Sequence, residues 1–390
     1  MTAPADTQTS QLVQRAASLV PMLRERALET EQARRVSPEV FDALSEAGIL
    51  RMMAPQRYGG AEADFQTQCD ALAELAVGCP STSWVATIHS AMAWVAATFP
   101  DEAQDEVFAD GDPRVHGVFS PTGTGVRKNG GLVVNGRWAF GTGCHGARWS
   151  MLNVLVGEGK AAIPTCFIVP TNELTILDDW RATGMAGTGS NTVVAEDLLV
   201  PAHRFLPMPD LLEARYPESR STGNPYFAHP VTAVLIVNAG GTPLGIARGA
   251  LEAFIERMHG RGITFTTYTS QAEAPVTHLV VGEAALKLES ADGHIRRSCA
   301  LLDEHPAEPM SLEDRVKARA FVAYATGLAR EIVDSLFLSS GASASQEDIP
   351  IQRFQRDIQT LSNHGGLNTR TTVELYGRTL CGLEPNTPLI

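Results

Sequence analysis

The chain has 390 residues, 44% apolar and 19% charged, at a mean hydropathy of −0.04, values that exclude a mostly disordered protein and suit two or three packed modules of roughly 100–200 residues each. With 31 basic and 44 acidic residues the net charge is −13 and no basic run stands out, which argues against nucleic acid or an anionic membrane as a partner. No uninterrupted apolar run reaches about 18 residues, and the opening MTAPADTQTSQ is polar, so neither a membrane span nor a secretory leader is expected and the cytoplasm is the expected location.

Helical periodicity dominates residues 1–112. Leu12, Ala16, Leu19, Leu23 and Ala27 recur at spacings of three and four, the stripe of an amphipathic helix. Ser37-Pro38 opens a second helix, Val40, Phe41 and Leu44 form its apolar face, and Gly48 closes it. Two more helices are expected near 65–77 and 82–98, the latter capped by Ser81. Over residues 113–206 the period becomes strand-like. A short strand is expected at 115–119. Residues 132–134 and 137–140 flank Asn135-Gly136, which reads as a hairpin because Asn-Gly tolerates the positive φ of a type I′ turn. Further β-rich runs fall at 151–156, 164–169 and 192–200. Residues 206–228, rich in Pro, Ser and Tyr, read as a loop or lid. Within residues 207–390, long helices are expected near 231–259, 276–303, 312–339 and 350–380. Val280, Ala284, Leu288 and Ala291 share one face, and so do Val322, Ala325, Leu328, Ile332 and Leu336. Together these give an α+β multidomain chain: an N-terminal helical domain (1–112), a central β-barrel-like domain (113–206) and a C-terminal four-helix bundle (207–390).

Several chemistries fail on spacing. There is no GxxxxGK[ST], no HExxH and no GxSxG. The glycine clusters at 123–125 and 184–190 do not open a helix after a strand, which weakens a dinucleotide-fold reading. The ten histidines are dispersed, so no metal site is expected. The six cysteines, Cys69, Cys79, Cys144, Cys166, Cys299 and Cys381, form no CxxC pair and suggest neither a zinc knuckle nor a disulfide framework.

Three segments in order carry a resemblance. LRMMAPQRYGG (50–60), WRATGMAGTGSNTVVAEDLLVP (180–201) and RFQRD (353–357) resemble stretches of the acyl-CoA dehydrogenase fold, over nearly the whole chain. A dehydrogenase of that family needs a carboxylate base, commonly in a Tyr-Glu-Gly-Thr motif shortly after the Arg-Asp. Here the matching stretch is Ser362-Asn363-His364-Gly365-Gly366, with His364 in place of the Tyr and Gly365 in place of the Glu. A glycine cannot abstract a proton. An Arg-Asp followed by a lone His resembles the two-component flavin-dependent monooxygenases of this fold. That resemblance implies a homotetramer, a separate NAD(P)H-flavin reductase that delivers reduced FMN or FAD, and dioxygen added to the flavin as a C4a-hydroperoxide that oxygenates a small, aromatic or polyketide-like substrate.

The resemblance also assigns roles. His364, by its near-neutral pKa, is the first candidate acid or base, with His89 on an apolar helix, and Thr142, whose hydroxyl would reach the flavin N5 or the peroxide, as further catalytic candidates. Phe119, Ser120 and Thr122 are expected along the flavin edge. Trp138, Phe140 and Thr142 are expected on one face by strand alternation, with Phe140 walling the ring and Trp138 as core. Trp180 and Ser190 are expected beside the flavin, and Arg261 on its phosphate. The small-residue loop around Ser340 and Gly341 is expected to reach the flavin of a neighbouring subunit. The alternatives are an acyl-CoA oxidoreductase whose base has moved to Glu252 or Glu256, an amino-sugar N-oxygenase, and a non-enzymatic binding protein.

Overall fold

The computed structural model describes residues 5–304 and 310–390. The N-terminal helices are α1 (Ala5–Ala33), α2 (Pro38–Glu46), α3 (Phe65–Gly78), α4 (Pro80–Ala96) and α5 (Asp101–Val107). Leu12, Ala16, Leu23 and Ala27 are buried along α1, as their period requires. Ser37 caps α2, its Oγ accepting the Val40 N–H at 3.4 Å, and Gly48 follows at φ +79°. The expected cap Ser81 lies inside α4 instead. Pro80, with its fixed φ and no N–H to leave unpaired, occupies the first turn, so Cys79 becomes the boundary.

The β-domain is a seven-stranded sheet of β1 (Val115–Lys128), β2 (Gly131–Gly141), β3 (Trp149–Val156), β4 (Ile163–Pro170), β5 (Thr175–Ile176), β6 (Asn191–Val200) and β7 (Phe205–Pro207). Its order is β5-β6-β2-β1-β3-β4-β7, with β1 and β3 parallel and every other pair antiparallel. The hairpin is not at Asn135-Gly136. It turns at Asn129-Gly130, at φ +52° and +74°, closing the pair Lys128↔Gly131. Asn135-Gly136 lies within β2 at a register shift against β6. Both dipeptides are Asn-Gly, and the pattern alone does not rank them. Pairing does, since a turn at 130 lets both strands run long.

The remaining helices are α6 (Met208–Leu212), α7 (Val231–Asn238), α8 (Gly241–Met258), α9 (Pro275–Asp303), α10 (Leu312–Ser339), α11 (Pro350–Leu361) and α12 (Thr369–Leu380). The segment 206–228, expected as a loop or lid, takes in the end of β7 and α6. Arg220 pairs with Asp105 at 2.6 Å, and Ser221 donates to Gln104 at 2.7 Å, which pins the segment to α5. The helix expected over 350–380 is broken at 362–368. Ser362 and Asn363 hydrogen-bond back to Gln359, Gly365-Gly366 favour no helix, and Asn368 caps α12 by accepting the Thr371 N–H at 3.2 Å.

The helical parts share one core. On α8, Gly241 and Gly245 lie so close to α3 that a Cβ would meet the carbonyl oxygens of Cys69 and Ala73 at 2.3 and 2.1 Å. Helix stretch Val231–Met258 is long and apolar enough to cross a membrane, and 83% of its most apolar window is buried in this core. The sheet keeps its own core, with Leu132, Trp138, Leu152, Phe167 and Val193 at its centre.

Candidate active site

Residue Phe140 adopts φ +67°, which reverses the alternation of β2 at its end. Trp138 therefore turns into the sheet core, where its Nε1 donates to Asn153 O at 2.6 Å, while Phe140 stands out at 69% exposure. The two do not share a face as alternation predicts. The left-handed residue and the register shift between Trp138 and Gly141 separate them.

Phe140, Thr142, Trp180 and Ser190 do converge. The Phe140 and Trp180 rings meet edge to face at 6.0 Å. Behind them runs a buried row of hydroxyls. Thr142 Oγ1 and Ser190 Oγ are 2.9 Å apart, Ser190 and Thr188 are 2.7 Å apart, and Thr188 donates to Met185 O at 2.8 Å. Trp180 Nε1 donates to the same carbonyl at 3.3 Å. Thr188 was not foreseen, although its place two residues before Ser190 in a Gly-Thr-Gly-Ser loop is the signal that marks it.

This loop is clamped by the bundle. Arg356 donates to Thr183 O at 2.7 Å, and Asp357 accepts the Met185 N–H at 2.5 Å. Burial pushes the Asp357 carboxyl up to about 7; the Met185 bond opposes this, Glu31 adds to it, and Arg353 and Arg356 oppose it.

Helix α4 forms a common wall. A Cβ on Gly143 would come within 2.6 Å of His89 Nε2 and 2.9 Å of Val85 Cγ1, so His89 reaches the Thr142 region only through this glycine. His89 is fully buried, edge-on to Phe41 at 5.3 Å, with neither ring nitrogen hydrogen-bonded among the described residues. Burial pushes its pKa to about 3, so it is neutral at physiological pH. The structure places it behind the wall and not on an open surface.

One residue before Val85, Trp84 packs edge-on against His364 at 5.3 Å. His364 sits exposed in the turn between α11 and α12. Desolvation, with Arg319 adding to it, holds its pKa below the usual histidine value. Its Nδ1 accepts the Gly366 N–H at 3.2 Å, so the neutral imidazole carries its proton on Nε2.

The remaining candidates divide. Along β1, register with β3 slips between Val118 and Gly123, lifting residues 119–122 off the regular ladder. Phe119 packs on the helical core, Ser120 is exposed, and Thr122 donates to Arg137 O at 2.7 Å, which engages its hydroxyl within the sheet. Arg261, Ser340 and Gly341 come together. Arg261 Nη2 lies 3.3 Å from Ser340 O and 2.9 Å from Ser343 Oγ, and Gly341 adopts φ +71° beside it. Arg257, one turn earlier, makes the same two contacts at 3.1 and 2.9 Å. Its i,i+4 spacing from Arg261 is the sequence signal that was not used. Among the described residues, no hydrogen bond joins this cluster to the Thr142 row. Glu252 and Glu256, the alternative bases, face Arg24 as ion pairs on the outside of α8.

The acyl-CoA dehydrogenase N-terminal domain family matches residues 9–110, and the C-terminal domain family matches residues 238–369. The chain is 33% identical to the flavin-dependent monooxygenase oxygenase subunit HsaA of Rhodococcus jostii (strain RHA1), over 95% of this chain and 98% of that protein. It is 31% identical to the oxygenase component of the FADH(2)-dependent resorcinol hydroxylase of Rhizobium sp. (strain MTP-10005), over 98% of each. Among solved structures, the 3-HSA hydroxylase of Rhodococcus sp. RHA1 superposes with a TM-score of 0.90 at 32% identity, covering 97% of this chain and 99% of that one. XiaF from Streptomyces sp., in complex with FADH2 and glycerol, gives a TM-score of 0.90 at 29% identity, covering 98% of both chains. The chain belongs to the two-component flavin-dependent monooxygenases of the acyl-CoA dehydrogenase fold.

Proposed function

We propose that this chain is the oxygenase of a two-component system that hydroxylates a small phenolic or related aromatic substrate, with His364 as its acid–base residue. The observation that carries the reading is the placement of His364. It is an exposed imidazole with Nδ1 engaged, packed against Trp84, in the turn that the family resemblance matches to the dehydrogenase's carboxylate motif. Names of the relatives support the aromatic substrate class, since they include a resorcinol hydroxylase and a p-hydroxyphenylacetate 3-hydroxylase.

The residues suit a reduced flavin. Phe140 and Trp180 offer an exposed aromatic edge, and the Thr142–Ser190–Thr188 row offers hydroxyls behind it. Arg257 and Arg261, paired around Gly341, offer the bidentate donors a phosphate needs. When bound, reduced FAD or FMN supplies the electrons that activate dioxygen. Within that reading, Trp84 orients the His364 ring, and His364 Nε2 exchanges a proton with the substrate hydroxyl. Thr142 steadies the flavin edge through Ser190, and the α4 wall of Trp84, Val85 and buried His89 excludes water. Ser120 is placed along the flavin edge. Arg261, Ser340 and Gly341 serve the flavin of a neighbouring subunit, which makes the working form a homotetramer. The partner is a separate NAD(P)H-flavin reductase in the cytoplasm.

The test is rapid mixing of the protein and photoreduced flavin with oxygenated buffer and a panel of phenols. His364→Asn is expected to abolish product while oxygen consumption continues and ends as hydrogen peroxide. Undiminished product from this variant removes His364 from the reaction.

A further inference from the structure

The His364 turn is held from behind by a residue that the reaction does not touch. Arg319, on α10, donates through Nη2 to Gly365 O at 3.0 Å, one residue beyond His364. Through Nη1 it donates to Leu389 O at 2.6 Å. The segment that supplies this second carbonyl is itself seated. Arg378 Nε donates to Glu384 O at 3.0 Å, Asn386 reaches Glu374 at 3.2 Å, and Ile390 is buried against Val316 and Leu375. One planar guanidinium thus bridges two carbonyls, one in the His364 turn and one in the 381–390 segment. A lysine cannot reproduce that fork.

We propose that Arg319 is a positioning residue for His364, and that residues 381–390 form a strap whose seating is transmitted to the imidazole through the Leu389–Arg319–Gly365 bridge. The inference rests on the reading of His364 as the acid–base residue. Three further observations support it. The turn's other bonds at His364 are local, with His364 N donating to Leu361 O at 2.9 Å and His364 O accepting from Leu367 N and Asn368 N at 2.8 and 2.9 Å, whereas the Arg319 bond ties it to α10, as Thr369 Oγ1 does by donating to Ala323 O at 2.8 Å. The group facing the imidazole from α4, Trp84, carries no charge, and Ile236 of α7 lies beside the neighbouring Gly366. The Arg319 charge beside the turn disfavours the imidazolium, adding to the desolvation of the ring. A displaced guanidinium therefore changes both the place and the proton affinity of the ring.

The experiment titrates His364 by NMR in the flavin-free full-length chain, with His364→Asn identifying its signal. It then measures product formed per oxygen consumed with the reductase present. Arg319→Gln is expected to raise the His364 pKa and to lower coupling several-fold. Arg319→Lys, which keeps the charge and loses the fork, is expected to hold the low pKa yet still lower coupling. Removing Leu389 and Ile390 is expected to lower coupling in the parent and to add nothing in Arg319→Gln. Circular dichroism and sedimentation confirm that each variant remains folded and assembled. An unchanged His364 titration in Arg319→Gln, or strap removal that costs as much in Arg319→Gln as in the parent, overturns the proposal. If His364→Asn itself retains product, the underlying reading fails instead, and the two failures are distinguishable.

Discussion

Asp357 Oδ1 and the Met185 N–H, 2.5 Å apart, join α11 to the loop that carries Trp180 and Ser190. The bond holds Met185 at φ +52°, and the neighbouring Gly184 is pressed so near α11 that a Cβ would meet Arg356 O at 1.9 Å. The Arg-Asp pair of RFQRD therefore clamps the loop that carries Trp180 and Ser190. Asp357→Ala leaves a buried N–H unpaired, at a cost of about 1–3 kcal/mol. It is expected to weaken reduced-flavin binding at least tenfold in anaerobic titration. Asp357→Asn, whose amide oxygen can take the same N–H, is expected to bind within a few-fold of the parent. Equal binding by the alanine variant shows that the loop holds without the clamp.

The hydroxyl row makes a second prediction. Thr142→Val keeps the side-chain shape and removes one end of the row, and Ser190→Ala breaks it in the middle, leaving Thr142 without its partner and Thr188 with only its bond to Met185 O. Each lost bond is worth about 1 kcal/mol of stability, so both variants fold. The ratio of product to hydrogen peroxide is expected to fall in both and further in Ser190→Ala. A larger loss in Thr142→Val would mean that Thr142 acts alone and the row behind it does not matter.

How far the sequence discloses this arrangement depends on the range of each signal. Helix stripes such as Leu12-Ala16-Leu23 and the Ser37 cap are local and read true. The convergence of Phe140, Thr142, Trp180 and Ser190 was legible only through the family resemblance, since 50 residues of chain order say nothing of proximity. The Trp138–Phe140 face was misread because strand alternation assumes regular φ, and one left-handed residue inverts it. Arg257 and Arg319 were missed for a different reason. Both act on backbone carbonyls, Ser340 O and Gly365 O, and a carbonyl has no residue type to search for.

Gly130 and Gly136 separate the two hairpin readings by stability. Gly130 sits at φ +74° with open space around it, so Gly130→Ala meets only backbone strain of about 1 kcal/mol. A Cβ at Gly136 would stand 2.7 Å from the Trp138 ring and 2.8 Å from Gly123 Cα, inside the sheet core. Gly136→Ala is therefore expected to cost more than Gly130→Ala, by about 1–3 kcal/mol for overpacking. Urea melts that rank them the other way would place the turn at residue 136.

Acid stability follows from buried imidazoles. Burial pushes His89 and His116 to about 3 and His229 to about 4, against 6.5 in the unfolded chain. Their contribution is fully present above pH 6.5 and is lost as the pH falls toward 3–4, because the unfolded state binds the extra protons. Asp357 and Asp303, raised by burial to about 7 and about 6 from 3.8, act in the opposite sense. Their stabilising protons are all present below pH 3.8 and are lost as the pH rises through 6 and 7. Glu106, held low by Arg204 and His203 against its desolvation, adds to the acid-sensitive side. The three imidazoles outweigh the two raised carboxyls, so the melting temperature is expected to fall between pH 6.5 and pH 4. His89→Gln, which cannot take up a proton in either state, is expected to flatten that fall by up to about 1.4 kcal/mol per pH unit. A slope unchanged by this substitution would mean that His89 is protonated in the folded protein, and the closed α4 wall behind Gly143 would have to be open to water.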